Sequence, residues 1–257
     1  MVLIGIDLAW GDRRPDGVCT LHASRAGARV VDFDYPHGDD QLMDCLRSRL
    51  PETGSVLVTI DAPLLIPNRT GARPVDRATH TMFHREHAGC HPANSERCVR
   101  PPRLLKKLRR LGLRPGWELS RNARLVAEVY PHPALVRLLN LRRIIKYKRG
   151  RVASRRQEFG RLQAGLHTML GERFPRLELS DDARALLARV WTKEAEDLTD
   201  AFVCALIGLW HWIHRGRRSQ VIGDSRTGFI LLPEELRPGK VNRRFAARRD
   251  LLPGHHT

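Results

Sequence analysis

Long hydrophobic runs are missing from this chain of 257 residues. The most apolar stretch, 202–213, is shorter than the roughly 20 residues that span a bilayer and contains His211. Spaced cysteine pairs are missing too. Cys19, Cys45, Cys90, Cys98 and Cys204 are scattered and odd in number, which argues against a disulfide framework and for a reducing compartment. There is no internal repeat and no low-complexity linker, which excludes solenoids and tethered arrays. The apolar start meets Asp7 almost at once and has no basic leader, so a secretory signal is not expected and a cytoplasmic protein is. Aromatic residues make up only 6% of the chain, with Trp117 and Tyr147 alone in or beside its basic stretches. A stacking platform for single strands is therefore not expected.

Acidic charge is also in short supply. Lys and Arg outnumber Asp and Glu 45 to 28, for a net charge of +17. A surface of that sign attracts phosphate backbones, so nucleic acid, DNA or RNA, is the expected partner, and a membrane is not. The basic segment 104–111 and the run 142–156 are where such a backbone would lie.

With 42% apolar residues the chain can fill one sizeable core, and it reads as a single domain over 1–257. "VLIGIDLA" (2–9) has the two-sided apolar pattern of a covered strand. Turn signals then separate strands at 18–24 and 28–35, a helix follows at 39–50, and "SVLVTIDAPL" (55–64) is a further buried strand. Alternation fails over 62–124, which reads as a helical insertion after the fourth strand. A strand at 124–133 ending at Pro131, helices at 155–170 and 181–191, and a long helix from 193 complete the pattern, with a basic tail at 234–257. This order predicts an α/β fold with a ribonuclease H-like core, a mixed five-stranded sheet flanked by helices.

Three acids stand in equivalent places. Asp7, Asp61 and Glu128 each lie near the carboxyl end of a strand, where open α/β sheets gather ligands. By strand alternation Leu3, Gly5 and Asp7 share a face, as do Leu57, Thr59 and Asp61, and Gly5 leaves room for another backbone. Asp197 and Asp200 sit three apart on the last helix, and Ala201, Cys204 and Gly208 continue that face with small side chains. Carboxylates gathered about 5 Å apart repel by ~3 kcal/mol per pair at an effective dielectric of ~20. Divalent cations relieve this, and Mg2+ or Mn2+ in a two-ion site suits hard oxygen ligands and phosphodiester hydrolysis by activated water.

Over nearly its whole length the chain resembles the domain of unknown function 429 family, predicted nucleases of ribonuclease H-like fold. The resemblance rests on "GIDLAWG" (5–11), "IDAPLLIPNRTGARPVDR" (60–77), "HPAN" (91–94), "EVYPHPAL" (128–135), "KYK" (146–148), "EDLTDAFVCA" (196–205) and "TGFILLP" (227–233). It implies an acidic site similar to that of RuvC-type resolvases, with Asp7, Asp61, Asp197 and Asp200 as metal ligands and Glu128 as a further catalytic candidate. It also marks Arg73, Asp76, Arg77, His132, Lys146 and Lys148 as residues on the substrate side, Arg73 and Arg77 being suited to phosphate contact.

Rival readings use other features. His80, His84, His87, Cys90, His91 and Cys98 could supply zinc ligands, but they lack a paired C-x-x-C spacing, and ordinary loop and helix histidines are the expectation. An ATP- or phosphate-handling protein of the same superfold would need a glycine-rich phosphate loop, and "DLAWGDRRPDG" is a poor one. A non-catalytic nucleic-acid-binding protein explains the charge and leaves the acids unexplained.

Overall fold

In the computed structural model of the chain, residues 1–11 and 13–234 are described. The expected basic tail from 235 onward lies outside them. Three strands open the fold, β1 (Val2–Asp7), β2 (Gly17–Ala23) and β3 (Ala28–Asp34), as an antiparallel meander. Helix α1 (Gly38–Arg49) returns the chain to β4 (Val56–Ile60), which lies parallel to β1. The next segment carries α2 (Pro74–Phe83), α3 (Arg100–Arg110) and the two-residue strand β5 (Arg114–Pro115). Strand β6 (Arg124–Glu128) then pairs directly with β4, in parallel.

Four helices follow, α4 (Pro131–Leu138), α5 (Val152–Arg173), α6 (Asp181–Ala188) and α7 (Lys193–Ile213), with the short strand β7 (Leu177–Glu178) between α5 and α6. Strands β8 (Ser219–Asp224) and β9 (Gly228–Pro233) form a separate antiparallel pair, tied to the main sheet by a bridge between Val129 and Leu231. Among the described residues no helix is long and apolar enough to cross a membrane.

The main sheet has seven strands in the order β5-β6-β4-β1-β2-β3-β7, and most of its pairings are parallel. Five strands were expected; the other two are β5 and β7, which pair over two residues each and are too short to show an alternating pattern. Strand β6 is also shorter than expected. It stops at Glu128, and Pro131 opens α4, where its missing N–H costs nothing in the first turn.

The sheet divides the core in two. Ile4, Ile6, Val58, Ile60 and Val126 face one way, onto Leu42 and Leu46 of α1 and Leu104 and Leu108 of α3. Leu3, Leu57, Leu125 and Ala127 face the other way, onto Phe202, Cys204 and Leu206 of α7. Helix α7 comes unusually near the sheet because glycine lies beneath it. A Cβ on Gly5 would run into the Ala201 carbonyl oxygen and the Ala205 nitrogen, and one on Gly17 into the Asp197 carbonyl oxygen. Thr59 Oγ1 donates to the Cys204 carbonyl at 2.8 Å, and a Cβ on Gly208 would stand 3.3 Å from Thr59 Cγ2.

The contact between Gly5 and α7 therefore sets how far the helix approaches the strand ends. Gly5→Ala is expected to lose about 3 kcal/mol of stability through overpacking against backbone. Gly160→Ala, in α5 with nothing near its would-be Cβ, is expected to gain about 0.5–1 kcal/mol. Denaturant unfolding of the two variants measures both, and equal stabilities would contradict this packing.

Candidate active site at the strand ends

The register of the sheet decides which acids meet. Ile6 is level with Ile60 across β1 and β4, so Asp7 and Asp61 leave adjacent strand ends together, on the face covered by α7. Glu128 is level with Ile60, one position out of phase, and its side chain goes to the other face. From above, the close approach of α7 brings Asp200, which is fully buried, and Asp197, which is 5% exposed. Thr192 caps this helix, its side chain accepting from Ala195 N at 3.0 Å, and fixes where the first turn begins.

Two ammonium groups, of Lys148 and Lys193, meet these acids. Lys148 Nζ is 2.6 Å from Asp200 Oδ2, and its charge also acts on Asp7 and Asp61. Tyr147, wholly buried, donates its hydroxyl to Asp200 Oδ1 at 2.6 Å. Lys148 is the one partner of the buried Asp200 Oδ2 among the described residues. Asp197 is held by Tyr35, whose hydroxyl donates to Oδ2 at 2.7 Å, and by Lys193, 2.6 Å from Oδ1. Lys193 also reaches Glu196 Oε1 at 2.7 Å.

Crowding shows in the proton affinities. Burial raises the Asp7 carboxyl well above its usual range; Lys148 opposes this, and Asp200, Asp61 and Asp197 add to it. Asp61 is pushed up to about 7 by burial and by Asp200 and Glu128, against the pull of Lys148. Asp200 is raised by burial, with Lys148 and Tyr147 working against the shift. For Lys148 burial favours the neutral amine, but the neighbouring carboxylates outweigh it and hold the ammonium form well above its ordinary range. The mouth of the site is a cleft of about 480 Å3 lined by Asp7, Trp10, Arg13, Arg14, Lys148 and Asp197.

The remaining expected residues lie elsewhere. Arg73 is 1% exposed, and all five of its N–H donors are taken: Nε and Nη2 by Asp76, Nη1 and Nη2 by Glu128, and Nη1 also by the Leu65 carbonyl. Glu128 accepts from Leu64 N as well, at 3.1 Å. Arg73, Asp76 and Glu128 thus form a closed buried network that ties the start of α2 to the end of β6. The phosphate contact expected of Arg73 is corrected to this structural role, since no donor is left to make it. Glu128 is likewise engaged by Arg73 on the opposite face, although its charge still acts on Asp61. Removing one partner from such a network costs about 3–5 kcal/mol.

Arg77 is exposed and donates to the Ala72 carbonyl; Lys146 is exposed. His132 packs between Tyr130 and Tyr147, and burial with nearby Lys148 and Arg149 pushes it down to about 3, leaving it neutral. His80 and His84 stack with ring centres 6.0 Å apart, and His91 meets Arg149. Among the described residues no three His, Cys, Asp or Glu side chains are disposed as they stand to hold one metal ion.

Sequence reasoning missed Tyr35, Lys193 and a second buried arginine, Arg100, which binds Asp16 and Asp39. Lys193 could have been found, since it sits three and four residues before Glu196 and Asp197 on one helix. Tyr35 and Arg100 carry no local signal.

A mixed, mostly parallel α/β sheet with acids crowded at the carboxyl ends of adjacent parallel strands is the class these features define. The chain belongs to the family described as protein of unknown function (DUF429), whose model matches residues 5–227. Neither a curated protein nor a solved structure matches the chain.

The raised Asp61 carboxyl has a consequence for stability. Its folded value lies above the ordinary 3.8, so its contribution is fully present below about pH 4 and is lost as pH rises through about 7. In chelator, thermal stability should fall between about pH 5 and about pH 8, and fall less in Asp61→Asn. Parallel pH profiles for the two proteins would contradict the crowding.

Proposed function

We propose that the chain is a divalent-cation-dependent nuclease or phosphodiesterase built on a ribonuclease H-like core. The observation that carries the reading is that Asp7 and Asp61 leave adjacent paired strand ends where Lys148, 2.6 Å from Asp200, shares a cleft with Asp7. The sheet order supports it, with an antiparallel meander followed by parallel β4 and β6, and so does the net charge of +17.

The donor set fits hard cations: its atoms are carboxylate oxygens, burial raises their proton affinities, and the buried Asp200 Oδ2 is met by the Lys148 ammonium alone. Asp7, Asp61, Asp197 and Asp200 would hold Mg2+ or Mn2+, which would supply activated water and stabilisation of the leaving oxygen. Lys148 occupies part of this volume, so its ammonium must swing out when cations enter, and its 27% exposed side chain opens onto the cleft. There it would meet the phosphate. Tyr147 keeps Asp200 oriented, while Tyr35 and Lys193 do the same for Asp197. Arg13 and Arg14 at the mouth suit the flanking phosphates of a nucleic acid.

A second reading, a nucleic-acid-binding protein without catalysis, is favoured by one observation: Lys148 itself offsets part of the acidic charge. The two separate in a cleavage assay with branched, duplex and single-stranded DNA and RNA. The nuclease reading expects cleavage that requires Mg2+ or Mn2+ and falls by about a hundred-fold or more in Asp7→Asn. Binding without cleavage, or equal cleavage by Asp7→Asn, would contradict it.

A further inference from the structure

A second cleft lies at the other end of the sheet. It has a volume of about 1050 Å3 and lies where β1, β4 and β6 begin, beside the turn between β2 and β3 and the carboxyl end of α7. That size is at the top of the roughly 300–1,000 Å3 typical of small-molecule sites. Its walls combine two chemistries.

The first is unpaired positive charge. Arg25, Arg121, Arg173, Arg176 and Arg215 line the cleft, and none has an ion pair with a carboxylate of the described residues. Glu118 is the only acid among the described lining residues. Guanidinium groups on a concave wall with so little counter-charge suit a phosphate, which they can grip through paired N–H donors.

The second is an aromatic and hydrogen-bonding floor. Trp117, Phe174 and Trp212 line it, and Trp117 is braced edge-on by Phe229 at 4.6 Å. His211, 3% exposed, has Nε2 at 2.7 Å from the Trp117 carbonyl, which can only accept, so Nε2 carries the proton. Nδ1 is then a buried acceptor, and it has no partner. Burial lowers the proton affinity of the ring, against the hydrogen bond to the Trp117 carbonyl. Arg173 Nε is a buried donor, also without a partner. Two unpartnered polar atoms beneath the floor favour a ligand with donors and acceptors on its edge over a purely hydrocarbon one.

We infer that this cleft binds a nucleoside phosphate, with the base against the Trp117 and His211 floor and the phosphate toward the arginine rim. The ligand is either a free nucleotide or one unit of a single strand, since the recognised chemistry is the same. The site stands apart from the acid cluster, so it holds whether or not the chain cleaves phosphodiesters.

The test uses the full chain in chelator, with calorimetry and tryptophan fluorescence. The four nucleoside 5′-monophosphates, the matching nucleosides, inorganic phosphate and a single-stranded hexanucleotide are titrated in turn. A monophosphate or the hexanucleotide should bind, and nucleoside and phosphate alone should each bind at least about ten-fold more weakly. The exposed pair Arg121→Gln with Arg176→Gln should weaken binding by about ten-fold or more without unfolding the protein. Tighter binding of the hexanucleotide would identify a strand as the source, and tighter binding of a monophosphate a free nucleotide. Asp7→Asn separates the two ends of the sheet: binding that persists in it belongs to this cleft. No binding by either nucleotide form, unchanged binding in the arginine double variant, equal binding of bare phosphate, or loss in Asp7→Asn would each overturn the inference.

Discussion

A lysine ammonium among carboxylates that have little other relief is the interaction on which the rest of the site depends. Asp7 and Asp61 are brought side by side by the parallel pairing of β1 and β4, and Asp200 is brought down on them by α7. Burial raises all three carboxyls, and each neighbouring negative charge makes the next harder still to ionise. Lys148 makes the arrangement tolerable, and the arrangement in turn holds Lys148 charged. A cluster balanced in this way can exchange its ammonium for another cation, and that property links the fold to the proposed chemistry.

The helix can deliver its acids only because the sheet beneath it is trimmed. Gly5 and Gly17 let the backbone of α7 approach where any side chain would collide, and Thr59 fastens the helix through the Cys204 carbonyl. Two buried arginines perform a complementary task on the long segment between β4 and β6. Arg100 joins the start of α3 to Asp16 and Asp39, and Arg73 joins the start of α2 to Glu128. Stability and site geometry therefore draw on the same few polar contacts, which leaves little freedom to alter one without the other.

Much of this was legible in the sequence because it depends on local period. Two-residue alternation placed Asp7 and Asp61 on one face with Gly5, and helical spacing put Asp197 and Asp200 on the face that Ala201, Cys204 and Gly208 continue. The expectation for Glu128 rested on closeness to a strand end, which says nothing of phase; the register with β4 puts that residue one position out of step with Asp61. Arg73 looked suited to phosphate for a similar reason, since a guanidinium carries no local sign of whether its donors are spent inside the fold. Strands β5 and β7 and the partnership of Tyr35 with Asp197 arise from contacts distant in sequence, which no window of neighbouring residues contains.

The most direct measurement is Mn2+ binding followed by electron paramagnetic resonance, on the unaltered chain and on Asp200→Asn, at pH values on both sides of 7. The account predicts that the ion binds the unaltered chain, more tightly as the carboxyls lose their protons, and that Asp200→Asn binds it far more weakly. Mn2+ that stays free at every pH, or that binds both proteins alike, would contradict it.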